Sequence, residues 1–321
     1  MTIHDVDDSR KPQAGNFCNL QDQLDGNLES EAALLDKYGG GESTRETPNT
    51  LQDALAQLEE ELDKITENRE AFDLAQITCP EYAQSTNFRL MFLRSTEFDA
   101  KAAAEKQIKY WSRKVELFGL GNAFRRLSLR DFEDEDEIAL SKGGVRALPE
   151  KDDAGRAMIL SFRDLWDNRR SHRKSMLRLI WYMMHFVFES DVSVQQNGIV
   201  IIVVNTMPSY QISGYDDKIN RMLWRDLQYV IPVKVKATHA HFGTNIFMKL
   251  IKNTMTLALN KTARSRYYYL DGCTVSTFCA SLEEYGIGLD KVPTIIGGEA
   301  EFNYQEWLQQ QQELIAVDEN N

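Results

Sequence analysis

The sequence predicts an α/β domain with a mostly parallel sheet, preceded by a small α-helical lobe. Three observations carry this. From Arg156 onward, short segments of strand character alternate with segments of helical periodicity. Within that alternation GIVIIVVN (198–205) is apolar at odd and even positions alike, the pattern of a strand covered on both faces by helices. Ahead of it, Leu51, Leu55, Leu58, Leu62 and Ile65 recur at spacings of four and three on a charged background, one face of an amphipathic helix.

Taken in chain order, residues 1–46 combine low hydrophobicity with acidic residues, Ser, Asn and a GGG at 39–41. They are expected as a disordered acidic arm, because they cannot bury enough surface to offset their ordering entropy. Residues 47–127 are expected as the helical lobe. Thr50 and Asp53 stand where the Leu51–Ile65 helix would be capped, and two heptads are too short for a coiled coil, so its apolar face packs within the lobe. NFRLMFLRS (87–95) and FDAKAAAEKQIKYWSRKVELFG (98–119) continue the helical pattern, with Gly119 as a stop. Asp131, Glu133 to Glu137, KGG and LPEKDDAG then read as an exposed acidic linker over 128–154.

The main domain is expected over 155–300. Its strands are RAMILSF (156–162), GIVIIVVN, KVKATHAHF (234–242) and RYYYLDG (266–272). Between and after them come helices at 171–189, around 219–230, at 245–259 and at 274–286, giving the order β-α-β-α-β-α-β-α. Residues 301–321 read as a polar, Gln-rich helix or tail.

A chain of 321 residues is enough for a full core. Its four cysteines lack framework spacing and its N-terminus is acidic, so a reducing, cytoplasmic setting without a leader peptide is expected. No apolar run reaches the ~20 residues that cross a bilayer. The net charge of −12 is segregated: residues 1–60 hold 4 Lys/Arg against 13 Asp/Glu, whereas residues 151–270 hold 18 against 9. Because the basic segment is also the most apolar, the expected anionic partner is a membrane surface and not a nucleic acid.

Catalytic motifs are missing. The sequence has no GxGxxG, no GxxxxGK[ST], no GxSxG, no HExxH and no Cys-x-x-Cys. His239 and His241 share one face of a strand, which suits a metal, but His4, His172 and His185 stand singly and supply no clear third ligand. A metal-assisted enzyme is therefore the third-ranked reading, with no catalytic or metal residue assigned. The helix at 245–259 is more informative. Phe247, Leu250, Ile251, Met255 and Ala258 form an apolar stripe, opposite Lys249, Lys252, Asn253, Thr256 and Asn260.

In order, LMFLRSTEFDAKAA (90–103), GRAMILSF (155–162), GIVIIVVN, LQYVIPVKVKATHAHF (227–242), IFMKLIKNTM (246–255) and VPTIIGG (292–298) resemble the CRAL-TRIO lipid-binding family. The resemblance spans about residues 50–300, and IPVKVKATH looks most like the tocopherol and retinaldehyde carrier branch. It implies an αβα domain whose sheet, of about five strands, floors an apolar pocket for one lipid, with residues 245–259 as a mobile gate. Pocket and gate then fall to Phe247, Leu250, Ile251, Met255, Val200, Ile202, Tyr182 and Phe186. Phosphate and membrane contact fall to Lys234, Lys236, Lys249 and Lys252, of which Lys234 and Lys236 share a strand face. His239 matches a strand histidine of the family, whereas His241 stands where an apolar residue is usual. The function implied is a soluble carrier that encloses one hydrophobic lipid or phospholipid and exchanges it at membranes, phosphoinositides included among its anionic contacts. No cofactor besides the bound lipid is expected. The alternative is a lipid-regulated signalling protein that recruits a protein partner through its N-terminal arm.

Overall fold

The computed structural model describes residues 46–166, 173–206, 229–243, 261–271 and 273–318, and between them residues 218, 222, 223, 226, 252, 253, 256, 257 and 259. The helical lobe comprises α1 (Pro48–Lys64), α2 (Glu70–Thr78), α3 (Pro80–Ala83), α4 (Thr86–Ser95) and α5 (Ala100–Ala123). α1 starts earlier than the leucine pattern suggests. Thr47 caps it, exchanging hydrogen bonds with Thr50 (3.2 and 2.9 Å) while Pro48 opens the first turn. Its buried side is Ala54, Leu58 and Leu62. Asp99 caps α5, which is interrupted at Gly119 (φ 73°), the predicted stop, before a last turn to Ala123.

Phe88, Phe92, Tyr110 and Trp111 form an edge-packed aromatic core between α4 and α5. That core continues into the next layer, because Tyr110 lies 5.3 Å from Trp181 of a helix in the main domain. Lobe and domain therefore share one apolar cluster, running from Leu58 to Ile201.

The expected linker is structured. After 3₁₀ turns at Leu129–Asp131 and Asp134–Asp136 come α6 (Glu137–Lys142) and β1 (Val145–Lys151), an edge strand antiparallel to β2 (Ala157–Phe162). The acidic run is drawn inward by one cation. Arg178, on α7 (Arg173–Phe188), is fully buried, and its guanidinium meets Asp136 at 2.8 Å, Glu135 at 2.5 Å and Glu133 at 3.1 Å. A buried guanidinium requires such partners.

α8 (Val192–Asn197), β3 (Ile199–Asn205), β4 (Val235–Phe242), α9 (Lys261–Ser265) and β5 (Tyr267–Asp271) complete the sheet, ordered β1-β2-β3-β4-β5, with β2 to β5 parallel. All seven residues of β3 are buried. One sheet face is covered by α7; the other by α10 (Val275–Ser281) and the turns that follow, through Phe278, Cys279, Leu282, Ile287, Val292 and Ile296. The Gln-rich tail is a docked helix, α11 (Tyr304–Asp318). Its Tyr304 ring lies beneath the Arg146 guanidinium of β1, and Trp307 packs edge-on against Phe186.

A buried polar chain joins lobe to domain. Tyr82 donates to Glu189 (2.9 Å); Tyr110 donates to His185 Nε2 (3.0 Å), whose Nδ1–H donates to the Trp181 carbonyl (2.8 Å). Burial, reinforced by the nearby Lys114 cation, pushes the His185 pKa down from 6.5 to about 3. Between those pH values the unfolded chain binds the proton and the folded chain does not, so stability falls as pH falls. Two predictions follow from these buried groups. Arg178→Ala strands Asp136 in the core and costs about 3–5 kcal/mol, read by urea denaturation at neutral pH. Wild-type stability drops by about 4 kcal/mol between pH 6.5 and 3.5 through His185, and His185→Phe, though less stable at neutral pH, shows a correspondingly shallower acid slope.

Candidate functional site at the start of the parallel strands

Register assigns each predicted residue to a sheet face. Ile159, Ile201, Thr238 and Tyr267 align across β2 to β5 and face the side of α7, as do Val203, Ala240, Phe242 and Tyr269. Val200 and Ile202 lie on the opposite face, fully buried in the cluster with Phe278, Cys279 and Leu282. Tyr182 and Phe186 stand on α7, ring to ring with Phe132 and Trp307 respectively. Val200 and Ile202 are thus not brought together with Tyr182 and Phe186, because the sheet lies between them.

Within the predicted gate, Phe247, Lys249, Leu250, Ile251 and Met255 lie outside the described residues. Lys252 and Thr256 are described, and both meet Tyr269: the Lys252 ammonium is 4.8 Å from its ring centroid, and the Thr256 hydroxyl hydrogen-bonds its phenol. These two residues therefore lie against the sheet face that carries Tyr269, the face of Ile201, Val203 and Phe242 on the odd-numbered side of β3. Lys252 engages an aromatic ring there. Leu257, one residue past Thr256, is 79% exposed.

Lys234 immediately precedes β4 and Lys236 is its second residue, where the register slips: Ile199 pairs with Val235 and Val200 with Ala237, leaving Lys236 as the inserted residue. Gly198 makes this approach possible. Its φ of 84° and ψ of −164° are accessible to glycine, and a Cβ there would come within 2.6 Å of the Lys234 carbonyl and 2.9 Å of the Lys236 side chain. Arg266, immediately before β5, donates to the Val235 carbonyl (3.3 Å) and adds a third cation. Both lysines are half-buried, and burial is the main cause holding each pKa below the usual lysine range. Lys234 and Arg266 press Lys236 further down, while Glu97 pulls both lysines up and Glu46 helps with Lys234. Glu97 and Phe98 follow α4 in two successive left-handed conformations (φ 55° and 65°), a costly turn for non-glycine residues that sets this carboxylate beside the lysines. Among the described residues the site is thus a half-buried cluster in which basic side chains outnumber acidic ones.

Arg266, Glu97 and Glu46 are not singled out by sequence reasoning. Their relevance depends on sheet order and on the α4 turn. The cluster lies at the amino ends of the parallel strands, opposite the carboxyl ends where open α/β sheets place nucleotide and catalytic chemistry.

The two strand histidines are used structurally. His239 stacks on Tyr268 (5.2 Å, 17°) and packs on Tyr285, while His241 Nε2–H donates to the Cys273 carbonyl (3.0 Å). That acceptor accounts for a histidine at a position where an apolar residue is expected. The described residues contain no group of three or more His, Cys, Asp or Glu that could hold a metal ion, and no helix among them is long and apolar enough to cross a membrane.

No protein-family model matches the chain, and no curated protein matches it. Among solved structures it is similar to the crystal structure of Sfh5, with a TM-score of 0.46 and 14% identity over 89% of this chain and 98% of that one. A likeness of this degree says nothing about what either chain binds.

Gly198→Ala is expected to cost about 1–3 kcal/mol from the backbone conformation alone, before its clash with Lys234 is counted. Thermal or urea unfolding reads the loss, and an unchanged midpoint would show that the approach of Lys234 and Lys236 does not depend on this glycine.

Proposed function

We propose that the protein is a non-enzymatic lipid carrier that encloses one hydrophobic lipid or phospholipid and meets anionic membranes, phosphoinositides included, through Lys234 and Lys236. In this reading it works in the cytoplasm and associates with membranes transiently. The observation that carries the proposal is the half-buried cluster of Lys234, Lys236 and Arg266, drawn together at the amino ends of β4 and β5 beside Gly198. Lysines held below their ordinary pKa gain when an anion arrives, and phosphate oxygens are strong acceptors for ammonium groups. Further support comes from the adjoining sheet face. Ile201, Val203, Phe242, Tyr267 and Tyr269 offer an apolar and aromatic floor that Lys252 and Thr256 of the gate segment meet at its β5 edge. The sequence resemblance to the CRAL-TRIO family implies the same arrangement of floor and gate.

Enclosure supplies the energy such a carrier needs. Each acyl CH₂ shielded from water contributes about 0.8 kcal/mol, so a chain is retained without covalent chemistry. Opening onto a bilayer, and not into water, keeps the apolar side chains of a gate covered in both states. Leu257, exposed on the gate segment, would meet the bilayer in this reading.

Each basic side chain near an anionic leaflet contributes about 1 kcal/mol, so Lys234→Glu with Lys236→Glu is expected to weaken binding to anionic vesicles by about thirtyfold or more, with the larger effect at low salt. Sedimentation with vesicles measures it. Unchanged binding by a folded double variant would remove both lysines from the site.

A further inference from the structure

The described chain begins at Glu46, within electrostatic range of Lys234. Glu46 grips Arg94 with both carboxylate oxygens, at 2.9 Å from Nε and 2.7 Å from Nη2, and both side chains are largely shielded from water. The Arg94 hydrogen bond holds the Glu46 pKa below the usual carboxylate range, and Lys234 adds to that effect. One carboxylate from the chain's own N-terminal side is thus already a counter-ion of the proposed site. The 45 residues before it hold nine Asp/Glu against four Lys/Arg.

We propose that this acidic segment, residues 1–45, is an intramolecular competitor for Lys234, Lys236 and Arg266. It occupies the cluster when no anionic membrane is present and yields when one arrives. The inference rests on the reading that this cluster receives anionic headgroups, and it adds how access to the cluster is regulated.

Three considerations support it. Glu46 is anchored on Arg94, and ten residues of chain can span at most about 35 Å, which sets the reach available to Asp36 and Glu42. A short tether holds those carboxylates at an effective concentration in the millimolar range, which suits a competitor that must also be displaceable. Charge points the same way: the segment is acidic and the cluster basic, and Lys234 already responds to the carboxylates of Glu97 and Glu46, although burial, the larger cause, holds both lysines below their ordinary range. Two other acidic stretches of the chain are placed elsewhere: Glu133, Glu135 and Asp136 are held by Arg178, and the second lies near the C-terminal end. That second stretch, Glu299 and Glu301, leads into α11, whose Tyr304 lies under Arg146 of β1, at the opposite edge of the sheet from β5.

The test uses the full chain with Glu29→Gln, Glu31→Gln, Asp36→Asn and Glu42→Gln together, in the wild-type background and in a Lys234→Gln/Lys236→Gln background. Binding to phosphatidylcholine vesicles containing phosphatidylserine is measured at low and high salt. Neutralising the segment should tighten binding about fivefold or more at low salt in the wild-type background and leave it unchanged in the Gln background. Carbodiimide cross-linking should also join Lys234 or Lys236 to an acidic residue of 1–45 in the free protein, and the cross-link should fade when the vesicles are added. Equal tightening in both backgrounds would mean that the segment merely repels the anionic membrane, and it would overturn the inference. So would absence of both tightening and cross-link in a protein whose binding still depends on the two lysines, an outcome that leaves the carrier reading standing. Binding that ignores the lysines altogether would overturn the carrier reading and the inference with it.

Discussion

β3 must be covered on both sides. Its seven residues are all buried, and six of them are aliphatic, so exposing either face would forfeit about 1.5–3 kcal/mol for each large side chain uncovered. This requirement divides the core into two layers. α7, with the helical lobe behind it, seals one face; α10 and the turns down to Ile296 seal the other. It also explains why lobe and domain behave as one body of packing: α7 belongs to both, facing the sheet on one side and contributing Trp181 and His185 to the aromatic core of the lobe on the other. The buried Arg178 on the same helix gathers the acidic run from Glu133 to Asp136 and so ties the β1 edge to this layer.

With the interior so committed, charge collects at the rim. The amino ends of β4 and β5 bring Lys234, Lys236 and Arg266 together, and a glycine-only conformation at Gly198 lets the first two approach. The carboxylates that answer them come from the lobe: Glu97 from a left-handed turn and Glu46 from the start of α1. An anionic surface that met this rim would replace weak internal compensation with phosphate, while the aromatic face beside Tyr269 stays apolar.

Much of the architecture is legible in the sequence because it is periodic. The amphipathic pattern of Leu51 to Ile65 reads as a helix whatever it packs against, and the continuous apolar run of β3 reads as a strand covered on both faces. β1 is harder to see, since Pro149, Glu150 and Lys151 look like a loop; the strand tolerates them because it is an edge and its register slips between Ala147 and Lys151. The site is less legible for a related reason. A strand apolar at every position carries no signal of which parity faces a ligand, so choosing Val200 and Ile202 over Ile201 and Val203 depends on the tertiary layers. Lys234 and Lys236 are visible as a pair, whereas Arg266, Glu97 and Glu46 reach them only through the sheet order and the turn after α4. His241 likewise looks out of place until the Cys273 carbonyl is brought to it from beyond β5.

Native mass spectrometry of the gently purified full chain tests the central claim most directly, since a carrier that encloses its ligand leaves the cell loaded. The account predicts one lipid per chain, released on denaturation, with a defined mass. A chain that carries no lipid, and takes none up from mixed vesicles, would contradict it.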